Sequence, residues 1–165
     1  MGSEATTAAG TPYAAPARAG KTDPGRFFED FRVGETIVHA TPRTVTEGDV
    51  ALYGALYGGR HALPSSTPFA RTMGLPRAPL ESWLVFHLVF GKSVPDVSLN
   101  AIANLGYAGG RWGAPVYPGD TLTATSRVLG VKRNRDGQTG VVWVHTVGTN
   151  QDGAMVVDYV RWVMV

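Results

Sequence analysis

Apolar and polar residues alternate from Thr121 to Lys132, with Leu122, Ala124 and Val128 on one face and Thr121, Thr123, Thr125 and Arg127 on the other. A period of two predicts a strand with one buried face. Gly140 to Thr149 and Ala154 to Val165 are rich in Val, Thr and aromatic residues and read as two more strands. Turn residues separate the three, at Asn134 to Gly137 and at Gln151-Asp152-Gly153, so they form an antiparallel meander. Before them comes a turn at Pro118-Gly119-Asp120. A strand is predicted from Leu99 to Arg111, loosened by Gly106, Gly109 and Gly110. A first strand is predicted from Glu35 to about Arg43, with a Thr-rich continuation to Thr46.

The period changes from Glu47 to Tyr57. Val50, Tyr53 and Tyr57 share one stripe and Leu52 and Leu56 another, which predicts a helix. Thr44 with Glu47, and Thr46 with Asp49, both have capping-box spacing at its start. Gly58-Gly59 ends it. Arg60 to Pro76 holds three prolines, Pro64, Pro68 and Pro76, and reads as loop with one helical turn near Phe69 to Thr72. Then comes PLESWLVFHLVFG, from Pro79 to Gly91. Pro79 suits a first helical position and Gly91 a stop. Nearly every residue between them is apolar, so protein must surround this helix. A helix of that length spans roughly 18 Å, and only a curved sheet covers it. The fold class expected is α+β: a single hot-dog domain, an antiparallel sheet wrapped around a central buried helix.

Composition changes this picture little. The chain has 165 residues, enough for one domain and a tail. Residues 1–25, rich in Ala, Gly, Thr and Pro, are expected to be a disordered tail, with the domain over 26–165. A net charge of +2 without a Lys/Arg run argues against nucleic acid. There is no cysteine, which excludes thiolate chemistry and Cys-based metal sites. The 4 histidines show no metal-ligand spacing, so no metal is expected. No apolar run is long enough to span a bilayer and no secretory h-region opens the chain; a cytoplasmic location without membrane attachment is expected.

The segments FFEDFRVGETIVHATPRTVTEGDVALY, SSTPFA, VFGKSVPDVSLNAIANLGYAGGRWGAPVYPGDTL and RWVMV resemble the MaoC-like dehydratase and (R)-specific enoyl-CoA hydratase family. They look most like the first half of its mesaconyl-CoA (β-methylmalyl-CoA) hydratases. The resemblance covers about residues 25–165. It implies water addition to, or removal from, a short-chain acyl-CoA, with coenzyme A entering as part of the substrate and no other cofactor. Such proteins are double hot-dogs about twice this length. The general motif of the family is Gly-Asp-x-Asn-Pro-apolar-His. Aligned through Ala70, this chain reads Gly58-Gly59-Arg60-His61-Ala62-Leu63-Pro64. The acid position is Gly59 and the His position is Pro64, and neither transfers a proton. The second half of a double protein is expected to carry the dyad.

Other residues become candidates. Glu81 and Ser82 fall near the start of the central helix, where the resemblance implies that a backbone N–H meets the thioester carbonyl. Ser82 is the oxyanion candidate, and Glu81 a candidate carboxylate base. His61 is the titratable group nearest the lost dyad, besides Arg60. Arg60, Arg111 and Arg133 are candidates for coenzyme A phosphates; the pair Arg111-Trp112, on a Gly-rich strand, is preferred. His87 is expected to be a core histidine, and His39 and His145 structural. Three readings stay open: a hydro-lyase, a non-catalytic hot-dog half pairing with a dyad-bearing half, and a hot-dog acyl-CoA thioesterase using Glu81. An open sheet edge predicts a homodimer or a heterodimer with another hot-dog subunit.

Overall fold

The computed structural model describes residues 25–165. The expected tail therefore lies, apart from Gly25, outside the described residues. A 3-10 turn at Phe28–Asp30 leads to β1 (Thr36–Val38), β2 (Arg43–Thr44), α1 (Glu47–Tyr57), α2 (Ala62–Ser65), α3 (Thr67–Thr72) and α4 (Ser82–Ser93). One π-helical turn, Val94–Ser98, follows α4. Then come β3 (Ala103–Trp112), β4 (Thr121–Arg133), β5 (Gly140–Thr149) and β6 (Met155–Met164). The sheet has 6 strands in the order β1-β4-β5-β6-β3, with β2 also pairing β4. Every pairing is antiparallel. The sheet is open, with β3 along one edge, and α4 lies across its concave side. This is the hot-dog arrangement.

The meander forms where the alternation places it. Leu122, Ala124 and Val128 of β4 are buried. Val142 and Val144 of β5 and Val163 of β6 continue that inner face. Leu84, Val85 and Val89 of α4 pack on it with Val45, Leu80, Val116 and Tyr159. A Cβ on Gly148 of β5 would stand 2.5 Å from a Val89 methyl, so only glycine lets the helix come this close.

The boundaries differ from expectation for local reasons. The predicted first strand is broken, and Pro42 in the gap has no N–H to give a ladder. Of the two capping boxes, Thr46 with Asp49 forms: the Asp49 N–H donates to Thr46 Oγ1 (3.2 Å) and the Thr46 N–H to Asp49 Oδ2 (2.9 Å). Pro79 does not open α4, because the next N–H, of Leu80, donates to the Val116 carbonyl at 2.8 Å, and the helix begins at Ser82. Gly91 does not stop it. Lys92 and Ser93 are buried, and Ser93 Oγ donates to the Phe90 carbonyl. α4 also keeps an open side: Trp83 is 54% exposed and His87 is exposed with it. His87 is therefore not the core histidine expected. No helix among the described residues is long and apolar enough to cross a membrane.

Candidate active site

Glu81 is the N-cap residue of α4, and its side chain caps nothing. The first amides of a helix have no intrahelical acceptor, so the N–H groups of Ser82 and Trp83 remain available, at the positive end of the helix dipole. The Trp112 indole N–H donates to the Ser82 carbonyl at 2.8 Å. The Trp83 and Trp112 rings meet edge to face with centroids 5.2 Å apart. These contacts tie the end of β3 to the start of α4.

A cavity of about 580 Å³ opens at this junction, lined by His61, Pro64, Glu81, Ser82, Trp112 and Val116, among others. Two smaller cavities share Glu81. One holds Gly59 and Pro64 with Tyr53. The other holds Gly59, Arg60 and His61 with Tyr53 and Tyr57. A Cβ built on Gly59 would lie 4.0 Å from Glu81 Oε1. The Glu81 carboxylate thus occupies the space beside Gly59, where the motif alignment expects an acid. Burial, and next the negative charge of Glu81, raise the Tyr53 pKa, so its phenol stays protonated beside the carboxylate.

The fold thus gathers Gly59, Arg60, His61, Pro64, Glu81, Ser82 and Trp112 around one junction. Arg111 follows the edge of β3. Its guanidinium is 71% exposed and pairs with Asp158, which is 6% exposed. Arg133 is elsewhere, bonded to Glu29 and lying over the Phe28 ring. His145 stands 3.5 Å from Asp158.

Sequence reasoning missed one buried polar chain. His39 Nδ1 meets Asp96 Oδ2 at 2.7 Å, His39 Nε2 meets Ser126 Oγ at 2.8 Å, and Ser126 Oγ meets Thr146 Oγ1 at 2.8 Å. The connectivity is that of a Ser-His-Asp triad, yet Ser126 and Thr146 are fully buried and His39 nearly so. No substrate reaches them there, and the chain pins β1, β4, β5 and the π-helical turn together. Polar residues at inward positions of β4 and β5 were the available signal. Among the described residues no group of three or more His, Cys, Asp and Glu is placed to hold a metal.

The family model described as MaoC like domain matches residues 29–151. A beta-methylmalyl-CoA dehydratase of Chloroflexus aurantiacus is 72% identical over 145 residues, covering 88% of this chain and 41% of that protein. A mesaconyl-CoA hydratase of Cereibacter sphaeroides is 66% identical over 145 residues, covering 88% of this chain and 42% of that one. A crystal structure of a MaoC domain protein dehydratase from Chloroflexus aurantiacus superposes with a TM-score of 0.86 at 71% identity, over 89% of this chain and 42% of that chain. The chain thus spans about two fifths of these relatives, matching their N-terminal half. With the model covering most of its length and the fold agreeing, the chain belongs to the MaoC-like domain family.

Proposed function

We propose that the chain is one hot-dog half of a hydratase that interconverts mesaconyl-CoA and β-methylmalyl-CoA, or a close short-chain enoyl-CoA. The observation that carries this is the α4 N-terminus, which presents free amides and the Glu81 carboxylate to one cavity. Hydration joins the water oxygen to Cβ and a proton to Cα, and enolate charge gathers on the thioester oxygen in between. The Ser82 N–H stabilises that oxygen. Glu81 takes the proton from water and returns it to Cα. His61 lines the same cavity as a second titratable group. Trp112 lines the same cavity at its β3 side, where the coenzyme A portion would leave, whereas Arg111 is turned to the other face of β3 and paired with Asp158. Coenzyme A enters with the substrate, and the reaction draws on no other cofactor.

A second reading has a specific observation behind it. Gly59 and Pro64 hold the dyad positions, and the relatives extend well beyond the aligned region. In that reading the partner half brings the acid and base, and this half binds the thioester. One experiment separates the two. Enoyl-CoA absorbance is followed with mesaconyl-CoA and crotonyl-CoA, using the chain alone and co-expressed with the remainder of the Chloroflexus aurantiacus relative. If Glu81 is the base, Glu81→Gln lowers kcat by about 100-fold or more. Turnover that needs the second half and survives Glu81→Gln assigns proton transfer to that half. No turnover in either form overturns the hydratase reading.

A further inference from the structure

The junction around Glu81 holds few charges. Among the residues lining its three cavities, only Arg60, His61 and Glu81 have basic or acidic side chains, tyrosine phenols apart. No ion pair among the described residues includes any of the three. The His61 imidazole does no capping at the start of α2. Arg60 is exposed and lines a cavity of about 260 Å³ with His61, Glu81 and the α1 residues Tyr53 and Tyr57. His61 and Glu81 line both that cavity and the larger one of about 580 Å³, so the two adjoin. Gly58 stops α1 at φ 65°, a conformation glycine adopts freely, and the turn brings Arg60 and His61 beside Glu81.

The substrate of the proposed reaction carries an anion to this spot. Mesaconyl and β-methylmalyl groups are dicarboxylic. One carboxyl forms the thioester, and the other stays free on Cβ, the carbon that takes the hydroxyl. With the thioester oxygen at the Ser82 N–H and the attacking water at Glu81, that free carboxylate must lie close to both. A carboxylate taken out of water needs a cationic or N–H partner. It needs one here also to offset Glu81, since neighbouring carboxylates repel. The β3 side of the larger cavity runs from Trp112 to Val116 and holds no cation. Arg60 offers a planar fork of N–H donors that matches a carboxylate, and His61 a further ring nitrogen.

We infer that Arg60, with His61 beside it, is the subsite for the free carboxylate of the acyl group, and that this half therefore selects dicarboxylic over monocarboxylic enoyl thioesters. Arg60 then meets the acyl end of the substrate, not the coenzyme A phosphates expected of it from the sequence. The acyl group points toward α1, while coenzyme A leaves past Trp112 on the β3 side. The inference rests on the hydratase reading above and names the substrate class of that same cavity. It holds whichever half carries the base, because this half binds the thioester in both readings.

A pair of thioesters that differ in one group tests it. Tiglyl-CoA carries a methyl where mesaconyl-CoA carries its free carboxylate. Turnover of each is followed by enoyl absorbance, using the chain co-expressed with the remainder of the Chloroflexus aurantiacus relative, and the Kd of each is measured by calorimetry. The parent is expected to favour mesaconyl-CoA over tiglyl-CoA by about tenfold or more in kcat/KM. Arg60→Gln is expected to lower that ratio by about tenfold or more, and Arg60→Lys, which keeps the charge, to recover part of it. Arg60 is exposed, so both variants are expected to fold, and circular dichroism checks this. Equal turnover of the two thioesters by the parent, or a ratio unchanged in Arg60→Gln, overturns the inference and leaves the hydratase reading standing. Without turnover of either thioester the hydratase reading falls, and the Kd ratio then decides the subsite: equal Kd values in the parent, or a preference that survives Arg60→Gln, overturn it.

Discussion

Asp158 is buried on β6 and takes hydrogen bonds from the Arg111 guanidinium, with Nε at 3.2 Å. Arg111 beside it holds the carboxyl below its ordinary value of 3.8, against the upward push of burial; His145 adds to the lowering. The unfolded chain therefore binds this proton at a higher pH than the folded one. Stability from the pair is fully present above about pH 4 and is lost as pH falls through the depressed folded value. Arg111→Met leaves the burial push opposed only by His145, so the acid limb of the thermal midpoint between about pH 2 and pH 5 should shrink. A pH series of melting curves on both proteins checks this. Glu81 is the residue on which the proposed chemistry turns. Its place near a helix start was legible from PLESWLVF. Its approach to Gly59 was not, because that contact joins two loops distant in sequence.

At the scale of elements, α1 and the meander follow the rules that predict them. The Glu47–Tyr57 helix appears with its Thr46–Asp49 box, and β4 with its alternating burial. The central helix shows what periodicity misses. PLESWLVFHLVFG reads as apolar all round, yet its Trp83 and His87 side is open because the sheet covers one side and no layer among the described residues covers the other. The covered side depends on Gly148. Gly148→Val should cost about 1 to 3 kcal/mol, since the new side chain drives Val89 and α4 off the sheet. Denaturant melts measure this directly. A midpoint shift below about 0.5 kcal/mol would mean that α4 slides freely on β5.

The whole molecule ends in an edge. β3 closes neither a barrel nor a second sheet, and it carries exposed Leu105, Tyr107 and Trp112. Such an edge is a template for another strand. The chain should therefore co-purify with the remainder of the Chloroflexus aurantiacus relative when the two are co-expressed. Leu105→Lys should abolish that pairing without lowering the melting temperature of the lone chain, because a lysine on an edge strand resists added strands and the position is already exposed. Light scattering of the mixture reads the result. Pairing that survives Leu105→Lys would place the contact on another face.

By itself the sequence determined the order of the main elements, the α+β class and the family resemblance, and it carried the expectation that Gly59 and Pro64 fall where the family motif has its acid and its His. These are local properties, written in periodicity, caps and motif spacing. The tertiary structure alone decided which groups meet. It brought Glu81 to Gly59, Trp112 to Ser82, Asp158 to Arg111 and His39 to Asp96 and Ser126. Among the described residues it also left Arg161 buried outside every ion pair. Each contact joins residues far apart in the chain, and which of them form depends on the curvature of the sheet and the seating of α4, which no short stretch of sequence encodes.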